Sequence, residues 1–146
     1  MRTKDTIIRD FDNKQWVIWY FENIQHTGEI KPHYNIVIPI TEDKSILFCL
    51  ITSKVEKIKR FYANKQEKSS LIELSNKDLS CLRKNSIVNC NVPKLVSKED
   101  LCRITKNFKE IRNVQISRQL KDKIQIAILE SPVVEQIIKR LIDTTL

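Results

Sequence analysis

The chain of 146 residues contains a single glycine, Gly28. Walker A loops and GxGxxG dinucleotide fingerprints need several residues free to leave ordinary φ/ψ space, so both are excluded. The four cysteines, Cys49, Cys81, Cys90 and Cys102, form no CxxC pair. With only His26 and His33 beside them they do not match zinc-ligand spacing, so no metal site and no cofactor is expected. Long apolar runs are also missing. The cleanest covers residues 46–51, far too short to span a bilayer. Acidic and basic groups alternate through the first twenty residues with no signal-peptide hydrophobic region, so no membrane association and a cytoplasmic protein with reduced thiols are expected. Cys49 and Cys90 then read as small core residues rather than nucleophiles.

Hydrophobic residues make up 41% and charged ones 30%, enough apolar content to build a core in one ordinary domain. The net charge of +8 favours polyanionic partners such as nucleic acid or an acidic protein. The charge sets the class of partner and says nothing about chemistry.

Along the chain, residues 15–21 (Gln-Trp-Val-Ile-Trp-Tyr-Phe) are aromatic and β-branched and predict a buried strand. Residues 26–32, with the glycine and a proline, predict a loop. A second strand is expected from His33 to Ile40 and a third from Ser45 to Thr52. The polar turn between them makes the two an antiparallel hairpin, with Pro39 near a strand end. Residues 54–68 hold six cations against two acids, the most basic stretch. Short strands are expected at 71–74 and 86–90, with a weaker one at 114–116. Ser75 and Ser97 each open a Ser-x-x-Asp capping pattern, predicting short helices through Leu79 and Leu82 and through Leu101 and Cys102. Leu120, Ile124, Ala127 and Ile128 recur at helical spacing. Ser131 as N-cap and Pro132 at the first helical position start a last helix. The pattern predicts a single α+β domain, residues 1–146. A small SH3-like or OB-like antiparallel β-barrel with short inserted helices occupies about 12–117, and 118–146 form a helical C-terminal appendage.

Three segments in order sharpen this reading: the strand 15–21 with its loop to Pro32, the apolar strand Ile36-Val37-Ile38, and Leu50-Ile51-Thr52-Ser53. Farther on come Ser86-Ile87-Val88-Asn89-Cys90-Asn91 and Leu95-Val96-Ser97-Lys98-Glu99-Asp100-Leu101. Together they resemble the PemK/MazF-like toxins of toxin–antitoxin systems over roughly residues 12–104. The resemblance implies an SH3-like barrel, an endoribonuclease, a homodimer and a small antitoxin partner. The family's arginine at the start of the second strand is His33 here, and the family's glycines around the loop are missing.

Under that resemblance, the reaction expected is metal-independent attack of a 2′-OH on the adjacent phosphate of single-stranded RNA. It requires removal of the 2′-OH proton, stabilisation of a pentavalent phosphate and protonation of the 5′-oxygen. His33 is the candidate proton carrier, since an ordinary imidazole titrates near ~6.5. Thr52 or Ser53 is the candidate hydrogen-bond donor to a phosphoryl oxygen. Pairing of the second and third strands brings these hydroxyls to His33. Lys31 and Lys54 supply charge. Lys57, Lys59, Arg60 and Tyr62, with Phe61, form a basic stretch interleaved with aromatics that suits an RNA backbone and a stacked base. His26 is read as a solvated or substrate-touching residue, and Trp16 and Trp19 as core or dimer residues. The alternative is a non-catalytic basic module that binds nucleic acid or an acidic protein and cuts nothing.

Overall fold

The structure is a computed structural model that describes residues 2–24 and 30–146, the side chains of Asn23, Ile24, Ile30 and Lys31 excepted. A short helix, α1 (Lys4–Arg9), opens the chain, capped by Thr3, whose hydroxyl accepts the Thr6 N–H at 3.2 Å. Three long strands follow: β1 (Val17–Ile24), β2 (Ile30–Ile38) and β3 (Ser45–Thr52). Next come α2 (Val55–Tyr62), a 3₁₀ turn (Gln66–Ser70), β4 (Leu71–Leu74), β5 (Ser86–Asn89), β6 (Lys94–Ser97) and α3 (Lys98–Ile104). The chain closes with β7 (Lys106–Ile111), α4 (Arg118–Glu130) and α5 (Gln136–Leu141). The fold is mixed α+β, a seven-stranded antiparallel sheet with five α-helices among the described residues.

The strand order is β4-β5-β3-β2-β1-β7, and β6 joins the same edge of β3 as β5, lower down the strand. Side chains of β1–β3 alternate between two apolar clusters. Ile18, Ile36, Leu47 and Cys49 face one of them, into which α4 sends Leu120, Ile124 and Ile128. Trp19, Phe21, Val37 and Phe48 face the other, covered by Ile8 of α1 and Leu101 of α3. Burial on both faces explains why these strands read as nearly continuous apolar runs rather than clean alternation. Fully burying each such side chain contributes about 1.5–3 kcal/mol. Aromatic edges lock the second cluster: Phe21 meets Phe48 at 5.6 Å, and Trp19 meets Phe11 at 4.9 Å and Phe108 at 5.2 Å.

The hairpin expected from the turn at residues 41–44 is present, Tyr34 opposite Ile51 through Ile38 opposite Leu47. Its first strand is longer than expected and begins at Ile30, so Lys31, Pro32 and His33 belong to β2. Pro32 fits because β3 pairs with β2 only from Tyr34 onward, leaving that edge without a donor to supply. Segment 118–146, expected as an appendage, shares the first cluster with the sheet, and Ile142 bridges to Ile40.

Four expectations need correction. The barrel is not closed by hydrogen bonds: β4 and β7 are the two ends of the sheet path, with no ladder between them among the described residues. No helix follows Ser75. Asp78 accepts the Ser75 N–H at 2.8 Å as a capping residue would, but the Asn76 amide takes the carbonyls of Ser80 and Leu82, and turns result. Ser131 does not start α5: its buried hydroxyl donates to Asn91 Oδ1 at 2.7 Å and accepts the Val133 N–H at 3.4 Å, a turn follows, and Glu135 is the N-cap instead. No strand forms at 114–116; the strand of this region is β7, which ends at Ile111 and shares no residue with the expected one. There Asn107, with φ 53°, lies in a bulge: two steps of β1, Tyr20 to Glu22, are matched by three steps of β7, Lys109 to Lys106. Among the described residues no helix is long and apolar enough to cross a membrane.

Candidate anion-binding groove

The sheet brings the hairpin's two loose ends to one place. One step beyond the pair Tyr34–Ile51, the same register sets His33 opposite Thr52. His33, Thr52, Ser53 and Lys54 line one groove of about 410 Å³, although nineteen residues separate His33 from Thr52. His33 is half-buried, and its carbonyl accepts the amide of the fully buried Asn35 at 3.0 Å, which anchors the backbone beneath it. Thr52 Oγ1 accepts the Lys54 N–H at 3.2 Å, closing a small turn at the end of β3. With one lone pair engaged there, its hydroxyl hydrogen is left to donate elsewhere.

The opposite wall carries residues that the sequence did not single out, Arg83 and Lys84. Both are exposed on the β4–β5 segment, which is pinned by Leu79 and Leu82 in the core and by the Ser86 hydroxyl donating to the Lys84 carbonyl at 3.0 Å. The groove therefore holds Lys54, Arg83 and Lys84 around His33, Thr52 and Ser53, and none of the described residues lining it is acidic. Such a concavity favours an anion, and the guanidinium fork suits phosphate geometry. The edge-to-face rings of Tyr20 and Tyr34, 5.3 Å apart, stand at its side. No signal in the sequence marked Arg83, because the segment reads there as an ordinary polar loop after a capping pattern.

Beyond Lys54 the basic stretch goes elsewhere. It forms α2, which buries none of its residues. Lys59 pairs with Glu73 at 3.4 Å, and Lys59 and Arg60 share a separate groove of about 670 Å³ with Glu56 and Glu73, so the signs there are mixed. Lys57 is exposed on the same helix. The Tyr62 hydroxyl accepts the Asn89 amide at 2.9 Å, tying it to β5, while Phe61 is 62% exposed with Lys65 Nζ 3.8 Å over its ring. Phe61 is thus the open aromatic of this helix and Tyr62 the anchored one. The side chain of Lys31 and the whole of His26 lie outside the described residues. Trp19 is fully buried in the second cluster, and Trp16 packs at the margin of the first, its Nε1 donating to the Leu146 carbonyl.

Among the described residues no three His, Cys, Asp or Glu side chains gather as a metal site would need. Cys49 and Cys90 are both fully buried. Sharing a hydrogen bond with Cys90, and burial, push the Cys49 thiol well above its ordinary range, so it is not a nucleophile. Compared with protein-family models and with curated proteins, the chain matches none.

Proposed function

We propose that this chain is a cytoplasmic endoribonuclease of the PemK/MazF-like kind, cutting single-stranded RNA at the groove of His33. The observation that carries the reading is the meeting of one imidazole, the Thr52 and Ser53 hydroxyls and three cations in a concavity whose described lining has no carboxylate. In the proposed reaction His33 takes the proton of a ribose 2′-OH. The 2′-oxygen bonds to phosphorus, and the bond from phosphorus to the 5′-oxygen breaks. That oxygen leaves with a proton from the imidazolium or from water, giving a 2′,3′-cyclic phosphate and a 5′-hydroxyl. Thr52 donates to a non-bridging oxygen, and Arg83 and Lys84 offset the growing charge. Asn35 is a positioning residue, acting through the His33 backbone.

An opened SH3-like barrel belongs to the same proposal. It is supported by β6 and β7, which are not neighbours in the sheet but both pack against the second cluster through Val96 and Phe108. A homodimer and an acidic antitoxin partner are part of it too, supported by the net charge of +8 and by the exposed Ile126, Val133 and Ile137.

One observation favours the second reading, a binding module without turnover: His33 is the only imidazole among the described lining residues, so no second one stands ready as the acid. Incubating the chain with mixed RNA in excess chelator separates the two. Fragments ending in 2′,3′-cyclic phosphate are expected. Intact RNA at high protein concentration, or cutting only with added divalent metal, overturns the nuclease and leaves the binding module.

A further inference from the structure

A second concavity, of about 1260 Å³ against about 410 Å³ for the groove of His33, lies between the start of β1, the turns after β4 and the beginning of α4. Small-molecule sites run to about 1,000 Å³ and are mostly apolar. This one exceeds that range and is lined chiefly by polar side chains, so it suits an elongated polar ligand. Lys14, Lys77 and Lys121 stand around it and make no ion pair among the described residues. Arg118, also on its wall, is used internally, donating to the Leu146 carbonyl at 3.0 Å and lying 3.6 Å from Asp122. The one acidic lining residue, Asp78, is held by the Ser75 N–H and hydroxyl. Asp143, the acidic neighbour of Lys14, is held by Thr145 through both backbone and hydroxyl.

The same two chain segments run past both grooves. Ser80 lines the large one and Leu82 the small one, and two residues span at most about 7.6 Å between Cα atoms. On the sheet side Trp16 lines the large groove and Tyr20 the small one, four residues or about 13 Å apart along the chain. The β4–β5 segment therefore presents Lys77 to one groove and Arg83 and Lys84 to the other, a cationic ridge between them.

We infer that the large groove is the continuation of the RNA-binding track, holding the backbone of the nucleotides on one side of the scissile phosphate through Lys14, Lys77 and Lys121. The inference rests on the proposed function and extends it. The substrate is a single strand several nucleotides longer than the small groove can hold, and the segment between the grooves is where it crosses.

The test measures binding of a trinucleotide and of a 12-nucleotide single-stranded RNA, both with non-cleavable 2′-deoxy substitution at the scissile position, across a salt series. The wild-type chain is expected to bind the longer RNA more tightly. In Lys14→Glu/Lys77→Glu/Lys121→Glu that length advantage falls at least tenfold. In the charge-removing Lys14→Gln/Lys77→Gln/Lys121→Gln variant, the salt slope for the longer RNA falls by about 2, as loss of three phosphate contacts on a single strand requires. Circular dichroism of both variants checks that these surface changes leave the fold intact. A wild-type chain with no length advantage, or glutamine variants that keep the full salt slope, overturns the track and leaves the small groove standing. No binding of either RNA at low salt overturns the proposed function itself. Polyglutamate binding that the same variants abolish, with RNA unbound, assigns the groove to an acidic protein and overturns the inference.

Discussion

Helix α2 and the groove of His33 differ in a way that composition hides. The helix has the densest run of positive charge in the chain, yet Lys59 is paired with Glu73, Glu56 and Glu73 stand beside Arg60, and Tyr62 is tied to Asn89. The groove has as many cations, Lys54, Arg83 and Lys84, but collects them from two distant segments, and its described lining has no acid. A field at a site depends on which charges converge and which counter-charges are absent, not on charge density along the polypeptide. Exposed pairs such as Lys59–Glu73 contribute only about 0.2–1 kcal/mol.

The sharpest way to break this contrast is His33→Ala. If the groove does the chemistry, turnover falls about 10²–10⁴-fold, the usual contribution of a positioned proton carrier, while RNA affinity measured by fluorescence anisotropy holds. Equal losses in both quantities would point to a binding module. Next in size, Arg83→Ala removes a charged hydrogen-bond donor at about 1.5–3 kcal/mol, roughly 10–100-fold in RNA affinity. Lys57→Ala on α2 shifts the same titration about twofold or less, and a reversal of that order would return the anion site to the helix. Asn35→Ala deletes the buried amide under His33. It is expected to cost about 1–3 kcal/mol in urea unfolding and to lower kcat with KM held, whereas a purely structural role would leave the kinetics of the folded fraction unchanged.

The smallest effect concerns the core rather than either surface. Hydrogen bonding with Cys90, with burial beside it, raises the Cys49 thiol above its ordinary value of 9.0. Below that pH both folded and unfolded chains keep the proton, and nothing changes. Above it the unfolded thiol ionises while the folded one does not, so stability falls as pH rises, by at most about 1.4 kcal/mol per pH unit for this group. Urea midpoints at pH 7, 9 and 10 are expected to drop more for the wild type than for Cys49→Ala. Parallel curves would remove Cys49 as a cause of alkaline loss.

Much of the sheet was legible before folding was considered. The runs 45–52 and 71–74 have the bounds of β3 and β4, and the capping pattern at Ser97 opens α3 with its hydroxyl accepting the Asp100 N–H at 3.1 Å. The same pattern at Ser75 failed, because the Asn76 amide competes for carbonyls that a helix would use, and that competition depends on where the chain turns next. β6 and β7 were invisible for a similar reason. Residues 94–97 and 106–111 are too polar and short to show a period of two, and become strands only because β3 and β1 offer unpaired edges. Within the candidate site, His33 and Thr52 were legible because a hairpin of known turn length sets its own register. Arg83 was not, since it reaches the groove by long-range packing of Leu79 and Leu82.

The order of residues alone decided the hairpin, the apolar character of three central strands and the excess of positive charge, all of which are set by neighbours a few positions apart. Tertiary packing decided which cations converge and which are neutralised, whether the sheet's two edges meet, and that α4 completes a core. Those outcomes depend on segments distant in the chain meeting in space, and local propensity holds no record of such meetings.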